Sequence, residues 1–384
     1  MPRTPREATV RSNRVLRPCT LRRIGDMAGS NSLSVFLHVL KEDFDGLGAV
    51  TSDSSFDPEE CLSFARKHNV AGYVYAVLED AGRLALLPPR LESGLAKVWE
   101  AQTRKADRLI PEIQRVRDRF ERAELDVIYL KGPLLSKRLY GDPRRRYFGD
   151  IDLLVCGRED LIRADGVLQE IGYDRLSIPL FGHTATMRFV YHFSYRSEHA
   201  KIDLHWSLRN HFSWDIDYGR LWSRKQLERL GGHEFFVLAP EYVALLLVLS
   251  ILGDYQKAKV RMKFLVDLYK VLCLIGDDAD WAAFFERRRH EGVLKITATM
   301  LGLVLDLLDG REEFPNLTRS LSRDGNIGQR YRFAHPLELL EFSDRIPDKL
   351  RNHLRTFRLH EVGLARSIGW RLLVEPFNRA VLRQ

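Results

Sequence analysis

The sequence has few cysteines and no long apolar run, and these two absences exclude several classes of protein. Four cysteines are scattered over 384 residues, at Cys19, Cys61, Cys156 and Cys273, with no Cys-x-x-Cys pair. This pattern favours neither a zinc site nor a disulfide framework, and it is typical of a reducing cytoplasm. The densest apolar run, Tyr242 to Leu252, is too short to span a membrane and predicts a buried helix. We therefore expect a cytoplasmic protein without a membrane segment.

The excess of basic over acidic residues is concentrated in the first residues of the chain. The formal net charge is +8, but residues 1–25 carry seven arginines and one acidic residue and account for most of it. This segment lacks the apolar core of a secretion signal, so we interpret it as a disordered tail, or as an overlong start before Met27. The alternative is a contact with an acidic partner. Because the remaining residues are nearly balanced, a long nucleic acid is not an expected partner.

The chain is longer than one average core, and its patterns divide it into four regions. Apolar residues recur three and four positions apart up to Arg119, short β-favouring runs follow from Leu125, and helical patterns resume at Pro240. We predict an α+β fold in which a small mixed β-sheet is flanked by N-terminal helices and a C-terminal helical bundle. The predicted regions are a basic tail (1–28), an N-terminal helical region (29–119), an α+β core (120–239) and a C-terminal helical domain (240–384).

Within the core, strands alternate with helices. The run DVIYL predicts a strand, and the turn Lys131-Gly132-Pro133 leads from it into a short helix. The run DIDLLV predicts the next strand, and a helix is expected from about Glu159 to Ile171, ending at Gly172. The runs FVYHFSYR and KIDLHWSL predict an antiparallel pair, and FFVL predicts a further strand.

Three aspartates lie in or beside these predicted strands. Asp150 and Asp152 are two positions apart and point to one face, and Asp203 lies in the later strand with His205 on its face. Carboxylates beside apolar runs are costly unless they are compensated. One interpretation is a set of salt bridges to the nearby arginines. The other, which the combination favours, is a divalent-metal site for phosphoryl or nucleotidyl transfer.

Basic residues and a glycine supply the possible phosphate contacts. Gly132, after a strand and before a helix, would let backbone N–H groups approach a phosphate, and Lys131 adds a positive charge. Arg146 either pairs with a carboxylate or reaches a triphosphate. Lys263 and Asp267 are i,i+4 neighbours on a helix. They form either an exposed stripe with an ion pair or a face over the site, in which Lys263 contacts phosphate.

These segments, with RMKFLVDLYKVL, resemble the uncharacterised nucleotidyltransferase family of the DNA polymerase β-like superfamily over about residues 95–310. The resemblance implies a nucleotidyltransferase core that binds two Mg²⁺ ions, or Mn²⁺, and a nucleoside triphosphate, with ATP as the first candidate. It implies transfer of a nucleoside monophosphate with release of pyrophosphate. Asp150 and Asp152 match the paired metal ligands, and Asp203 matches the third carboxylate, which acts as ligand or base.

Two positions depart from the pattern of the family. The superfamily's usual Gly-Ser turn corresponds here to Lys131-Gly132, so Lys131 replaces the serine. Members also often show histidines ahead of the motif that contains Lys263, where this chain has Gly253-Asp254-Tyr255-Gln256.

The resemblance leaves the acceptor open, as a small molecule or a hydroxyl on a peptide or protein. One alternative is an antitoxin-like or regulatory enzyme that modifies a partner protein by AMPylation and uses its helical ends as docking surfaces. Another is a degenerate, non-catalytic nucleotide-binding module. All three aspartates are present, which favours an enzyme.

Overall fold

The structure is a computed structural model, and it describes residues 31–176, 190–209, 214–323 and 336–357. These ranges contain fourteen α-helices and one seven-stranded sheet. The predicted basic tail, 1–28, lies outside them. The α+β class with a mixed sheet, which the sequence predicts, is confirmed.

Five helices precede the sheet: α1 (Asn31–Leu40), α2 (Phe44–Thr51), α3 (Pro58–Lys67), α4 (Ala71–Asp80) and α5 (Pro89–Arg122). Asp57 caps α3 by accepting hydrogen bonds from the amides of Glu59 and Glu60, and Pro58 occupies the first turn. The 34-residue α5 is amphipathic and buries one side against the sheet. The predicted helical character of this region is confirmed.

The sheet is built from the five predicted runs and two further strands. The strands and the helices between them are, in chain order, β1 (Val127–Tyr129), α6 (Gly132–Tyr140), β2 (Ile151–Val155), α7 (Gly157–Glu170), β3 (Asp174–Arg175), β4 (His192–Arg196), β5 (Lys201–His205), α8 (Tyr218–Ser223), β6 (Gln226–Leu230) and β7 (His233–Val237). The strand order is β3-β4-β5-β2-β1-β7-β6. The predicted antiparallel pair is β4 and β5, whereas β2 and β5 run parallel. The sequence patterns predict neither β3, which has two residues, nor β6, a polar edge strand whose Leu227 is exposed.

The helices after the sheet are α9 (Pro240–Gln256), α10 (Met262–Ile275), α11 (Trp281–His290), α12 (Leu294–Leu307), α13 (Pro315–Arg323) and α14 (Ile346–Phe357), with a 3₁₀ turn at Pro336–Leu340. Helix α9 is buried along nearly its whole length, as its apolar sequence predicts. Within the described residues, no helix is long and apolar enough to cross a membrane.

The two faces of the sheet belong to two hydrophobic cores. In β2, Leu153 and Val155 pack with α5 and α7, whereas Leu154 faces a larger core. That larger core combines residues of the N-terminal and C-terminal helices. Since side chains alternate along a strand, Asp152 projects to the same face as Leu154, toward the C-terminal helices. The division of the chain into the four regions stays a prediction.

Candidate active site

The register of two parallel strands brings the aspartates together. Asp152 of β2 lies directly opposite Asp203 of β5, and Asp150 immediately precedes β2. The alternation of each strand places their side chains on the face that the C-terminal helices cover. The three carboxylates line one cavity.

Asp152 is compensated by two basic side chains. Its Oδ1 lies 3.2 Å from Nε2 of His205, and its Oδ2 lies 3.9 Å from Nζ of Lys131. Burial alone would raise the pKa of the Asp152 carboxyl, but Lys131 and His205 outweigh it and hold this pKa well below its usual range. Asp152 is therefore a stable anion beside its two neighbours.

The other two carboxylates differ in how they are held. Ser194 donates its hydroxyl to Asp203 Oδ1 at 2.5 Å, and Nζ of Lys201 lies 3.0 Å from the same carboxylate. Asp150 makes no hydrogen bond or ion pair with the described residues. Burial, and then repulsion from Asp152 and Asp203, raises the pKa of the Asp150 carboxyl. Of the three carboxylates, the ionised form of Asp150 would thus be stabilised most by an added cation.

The turn that precedes α6 borders the same cavity. Gly132 adopts a φ of +71°, a left-handed conformation that disfavours residues with a Cβ. No atom lies within 4 Å of the position that a Cβ would take, so the backbone is open to an incoming group. The first amides of a helix lack partners within the helix and attract anions.

Arg146 pairs with a carboxylate that lies far from it in the sequence. Its Nε donates to Asp267 Oδ2 at 2.7 Å, and the Tyr140 hydroxyl donates to Asp267 Oδ1 at 2.7 Å. Both members of the ion pair are buried. The Arg146 side chain also lines the cavity, and its Nη2 has no hydrogen-bond partner within the described residues.

Lys263 lies inside the protein and not on an exposed stripe. It is 9% exposed, and its Nζ donates to the Tyr147 carbonyl at 3.3 Å. The alternative of an exposed Lys263–Asp267 ion pair is wrong, because Asp267 is fully buried and pairs with Arg146 instead. Burial, and then the charge of Arg146, lowers the pKa of the Lys263 ammonium to about 7.

The cavity that the three aspartates, Lys131, Arg146 and Lys263 line has a volume of about 380 Å³. Besides the three carboxylates, six Lys and Arg side chains line it: Lys131, Arg146, Arg209, Lys257, Arg261 and Lys263. The sequence patterns single out only half of them. The sequence signal near the others is the polar segment Gly253–Gln256, in which Gln256 holds Arg209 and Asp254 holds Arg261.

The carboxylates do not form a ready-made metal site in the ranges that the structure describes, where no three His, Cys, Asp or Glu side chains are grouped closely enough. Their chemistry nevertheless fits Mg²⁺, which prefers carboxylate oxygens. Asp150 has no partner among the described residues and is repelled by Asp152 and Asp203. A divalent cation would relieve that repulsion.

Comparisons with known proteins assign the chain to a family. No curated protein sequence matches the chain. The crystal structure of an antigenic nucleotidyltransferase-like protein from Paracoccidioides brasiliensis is 16% identical, with 56% of this chain and 93% of that chain covered and a TM-score of 0.33. Residues 54–309 match the sequence profile of a family described as uncharacterised nucleotidyltransferase. Because this match covers more than half of the sequence, the chain belongs to the uncharacterised nucleotidyltransferase family.

Proposed function

We propose that this protein transfers a nucleoside monophosphate from a nucleoside triphosphate to a hydroxyl or phosphate of a small-molecule or peptide acceptor, with release of pyrophosphate. The observation that supports it is the register that sets Asp152 opposite Asp203, beside Asp150, in a cavity with a basic opposite side. The cysteines that the structure describes, Cys61, Cys156 and Cys273, are unpaired, in keeping with action in the cytoplasm.

The donor triphosphate would lie between the Gly132 turn and α10. Lys131 and Lys263 provide positive charge on two sides, and the Phe264 ring lies between them, 5.9 Å and 4.7 Å from their Nζ atoms. Arg146 is held rigidly by Asp267 and would turn its free Nη2 to the phosphates. Because burial lowers its pKa, the Lys263 ammonium loses its proton easily in the free protein. A bound phosphate would stabilise the charged form and so restore the proton.

Asp150, Asp152 and Asp203 would hold Mg²⁺, two ions by the pattern of the superfamily, and Mn²⁺ could replace it. When bound there, the metal would neutralise the phosphates and lower the pKa of the attacking hydroxyl. His205 orients Asp152 through the 3.2 Å contact, and Ser194 and Lys201 orient Asp203. Asp152 and Asp203 are thus positioned before the substrate arrives.

In the transfer step, the acceptor oxygen attacks the α-phosphorus and forms the new P–O bond. The bond from the α-phosphorus to the bridging oxygen breaks, and pyrophosphate leaves with its electron pair. Asp203 takes the proton of the acceptor hydroxyl. Lys131 and Lys263 stabilise the negative charge that grows on the leaving group.

Calorimetry on the full chain tests this function, with each nucleoside triphosphate titrated with and without Mg²⁺ or Mn²⁺. We expect metal-dependent binding, with ATP as the preferred donor. Asp150→Asn should remove the metal dependence, whereas Asp174→Asn, at an exposed strand residue, should not. Nucleotide binding that ignores the metal would instead support a non-catalytic nucleotide-binding module, and no binding would refute the proposal.

The acceptor can be found by product analysis. Cell extract supplied with a triphosphate labelled on its α-phosphate should yield a labelled product by mass spectrometry with the wild-type chain and none with Asp150→Asn. A labelled small molecule or peptide would identify the acceptor class. Label carried by one intact protein would indicate the protein-modifying alternative.

A further inference from the structure

A second group of cations lines the cavity beyond the residues assigned to the donor. It consists of Arg209, which follows β5, and of Lys257 and Arg261, which lie between α9 and α10. Besides burial, the charges of Arg209 and Arg261 lower the pKa of Lys257, whereas those of Arg146 and Lys131 lower the pKa of Lys263. Arg261 influences both lysines. The basic side of the cavity therefore has two ends that meet at Arg261.

Asp254 holds Arg261 by a two-pronged ion pair. The Nε and Nη2 atoms of Arg261 donate to Asp254 Oδ2 and Oδ1 at 2.8 Å and 2.7 Å. The guanidinium also lies 4.8 Å from the centre of the Phe264 ring. Such a pair fixes the orientation of the arginine while leaving further N–H groups for a ligand.

Arg209 is held by the last turns of α9. Its Nη1 donates to the Leu249 carbonyl at 2.9 Å, and its Nη2 donates to Gln256 Oε1 at 3.1 Å. A Cβ at Gly253 would lie 2.6 Å from Nη1, so the glycine provides the space for this guanidinium. The segment Gly253–Gln256 thus orients both Arg209 and Arg261.

Side chains, and not a helix end, would bind an anion here. The amides of Met262 and Lys263 at the start of α10 donate to Nδ1 and the carbonyl of His68, at 3.3 Å and 3.2 Å. Burial, and then the charge of Lys67, lowers the pKa of His68 to about 4, so its ring is neutral and accepts a hydrogen bond. The side-chain ammonium of Lys257 makes no hydrogen bond or ion pair with the described residues. It is therefore available to a ligand.

We propose that Arg209, Lys257 and Arg261 bind a phosphate or carboxylate group of the acceptor substrate. This rests on the proposed function, because it assigns the part of the cavity that the donor does not use. In-line transfer places the acceptor opposite the leaving pyrophosphate, and the pyrophosphate lies toward Lys131 and the Gly132 turn. The cations also disfavour a polycationic acceptor, which they would repel. The acceptor is thus an anionic molecule with a nucleophilic hydroxyl or phosphate oxygen.

Phosphate binding to the nucleotide-loaded protein tests this proposal. The full chain would be saturated with Mg²⁺ and an α,β-methylene ATP analogue, and inorganic phosphate would be titrated by calorimetry. We expect phosphate to bind alongside the nucleotide. Lys257→Gln and Arg209→Gln should each weaken phosphate binding about ten-fold, as expected for the loss of a charged hydrogen bond, with little change in nucleotide affinity.

Lys259→Gln is the matched control. Lys259 carries the same charge two residues from Lys257, pairs with Asp344 at 2.8 Å and does not line the cavity. The variant Lys259→Gln should leave phosphate affinity unchanged, and this result would exclude an effect of overall charge. The variant Lys257→Gln should fold normally because Lys257 is exposed.

The outcomes separate this inference from the proposed function. Phosphate that competes with the nucleotide, or a Lys257→Gln variant that loses nucleotide affinity, would assign these cations to the donor triphosphate and overturn the inference. Absence of phosphate binding would overturn it too. Phosphate binding that needs Lys257, in a chain that binds no nucleotide, would instead refute the proposed function and leave an anion site.

Discussion

The two walls of the cavity carry opposite charges and are positioned by different means. The strand wall consists of Asp150, Asp152 and Asp203, and the helix wall consists of Lys257, Arg261 and Lys263. Backbone register sets the strand wall, because Asp152 and Asp203 are partners in adjacent strands. Side-chain pairs set the helix wall, since Asp254 holds Arg261 and the Tyr147 carbonyl holds Lys263.

This difference predicts how each wall responds to substitution. A strand wall built on backbone hydrogen bonds keeps its geometry when one side chain changes, so its variants should lose function and keep stability. A helix wall built on buried polar pairs depends on each partner, because a buried charge without its partner is costly. Variants of Arg261 and Lys263 should therefore lose stability or shift the pH dependence as well, whereas Lys257 is exposed and has no such partner.

The largest effect is expected at the strand wall. Asp152→Asn keeps the shape of the side chain but removes one of the carboxylates proposed to bind the metal. Nucleotidyl transfer should fall about a thousand-fold, comparable to the loss of a preorganised catalytic group. Rates of pyrophosphate release with a saturating donor and cell extract as the acceptor source would measure it.

The same variant should remain folded, which thermal unfolding followed by circular dichroism would check. Asp174→Asn, also a strand aspartate but exposed, should keep full activity. A Asp152→Asn variant with wild-type activity would remove Asp152 from the site and break the distinction between the walls.

The strand wall was also the part that the sequence could predict. Alternation in DIDLLV and KIDLHWSL places the aspartates on one face of each strand, and the two runs are strands β2 and β5. Their direct pairing, with Asp152 opposite Asp203, needs the order of strands in the sheet, which local patterns do not contain. The sequence patterns did not predict the edge strand β6, because QLERL is polar, although Gly231-Gly232 marks its hairpin turn.

The helix wall was harder to predict because its partners are distant in the chain. Spacing on α10 suggests a Lys263–Asp267 pair, but Asp267 pairs with Arg146, 121 residues earlier. No local pattern predicts such a choice, since it depends on how α10 packs near α6. Likewise, nothing in the sequence around Arg209 indicates that Gln256 and Leu249 hold it.

The next largest effect is expected from breaking the buried pair beneath the helix wall. Asp267→Asn leaves the Arg146 charge buried without a carboxylate, with 2% of its side chain exposed. The free energy of unfolding should fall by about 3 kcal/mol, the usual cost of an orphaned buried charge. Urea denaturation would measure it.

An exposed pair provides the control for this loss. Arg229 and Glu234 form an ion pair at 2.8 Å on the β6–β7 hairpin, with 77% and 44% of their side chains exposed. Glu234→Gln should cost less than about 1 kcal/mol. Equal losses of unfolding free energy in the two variants would show that burial does not determine how much the Arg146–Asp267 pair contributes to stability.

A smaller effect concerns pH. The pKa of about 7 for Lys263, compared with 10.5 for an ordinary lysine, reflects burial and then repulsion from Arg146, with further repulsion from Arg261 and Lys131 and partial compensation by Asp267. Between these pH values the unfolded chain binds the proton and the native protein does not. This group therefore makes the nucleotide-free protein more stable as pH rises from about 7 to 10.5.

Nucleotide binding should show the opposite trend, because a triphosphate prefers the charged ammonium. We expect binding at pH 8 to take up a proton and affinity to weaken as pH rises above about 7. Calorimetry in buffers of different ionisation enthalpy would count the protons. Lys263→Met should bind more weakly and remove this proton uptake, and uptake that persists in the variant would assign the proton to another group.

The smallest effect is expected at Gly253, which gives Arg209 its space on α9. Gly253→Ala gains helix propensity but pushes a Cβ to 2.6 Å from Nη1 of Arg209, so the guanidinium must move. Since that side chain is flexible, stability should change by less than about 1 kcal/mol. Phosphate affinity of the nucleotide-loaded protein should nevertheless fall, because Arg209 leaves its position.

The control is Gly166→Ala within α7, where no atom lies within 4 Å of the new Cβ and only the gain in propensity remains. If both variants bind phosphate like the wild type, the position of Arg209 does not matter to the anion, and the basic wall acts through charge alone.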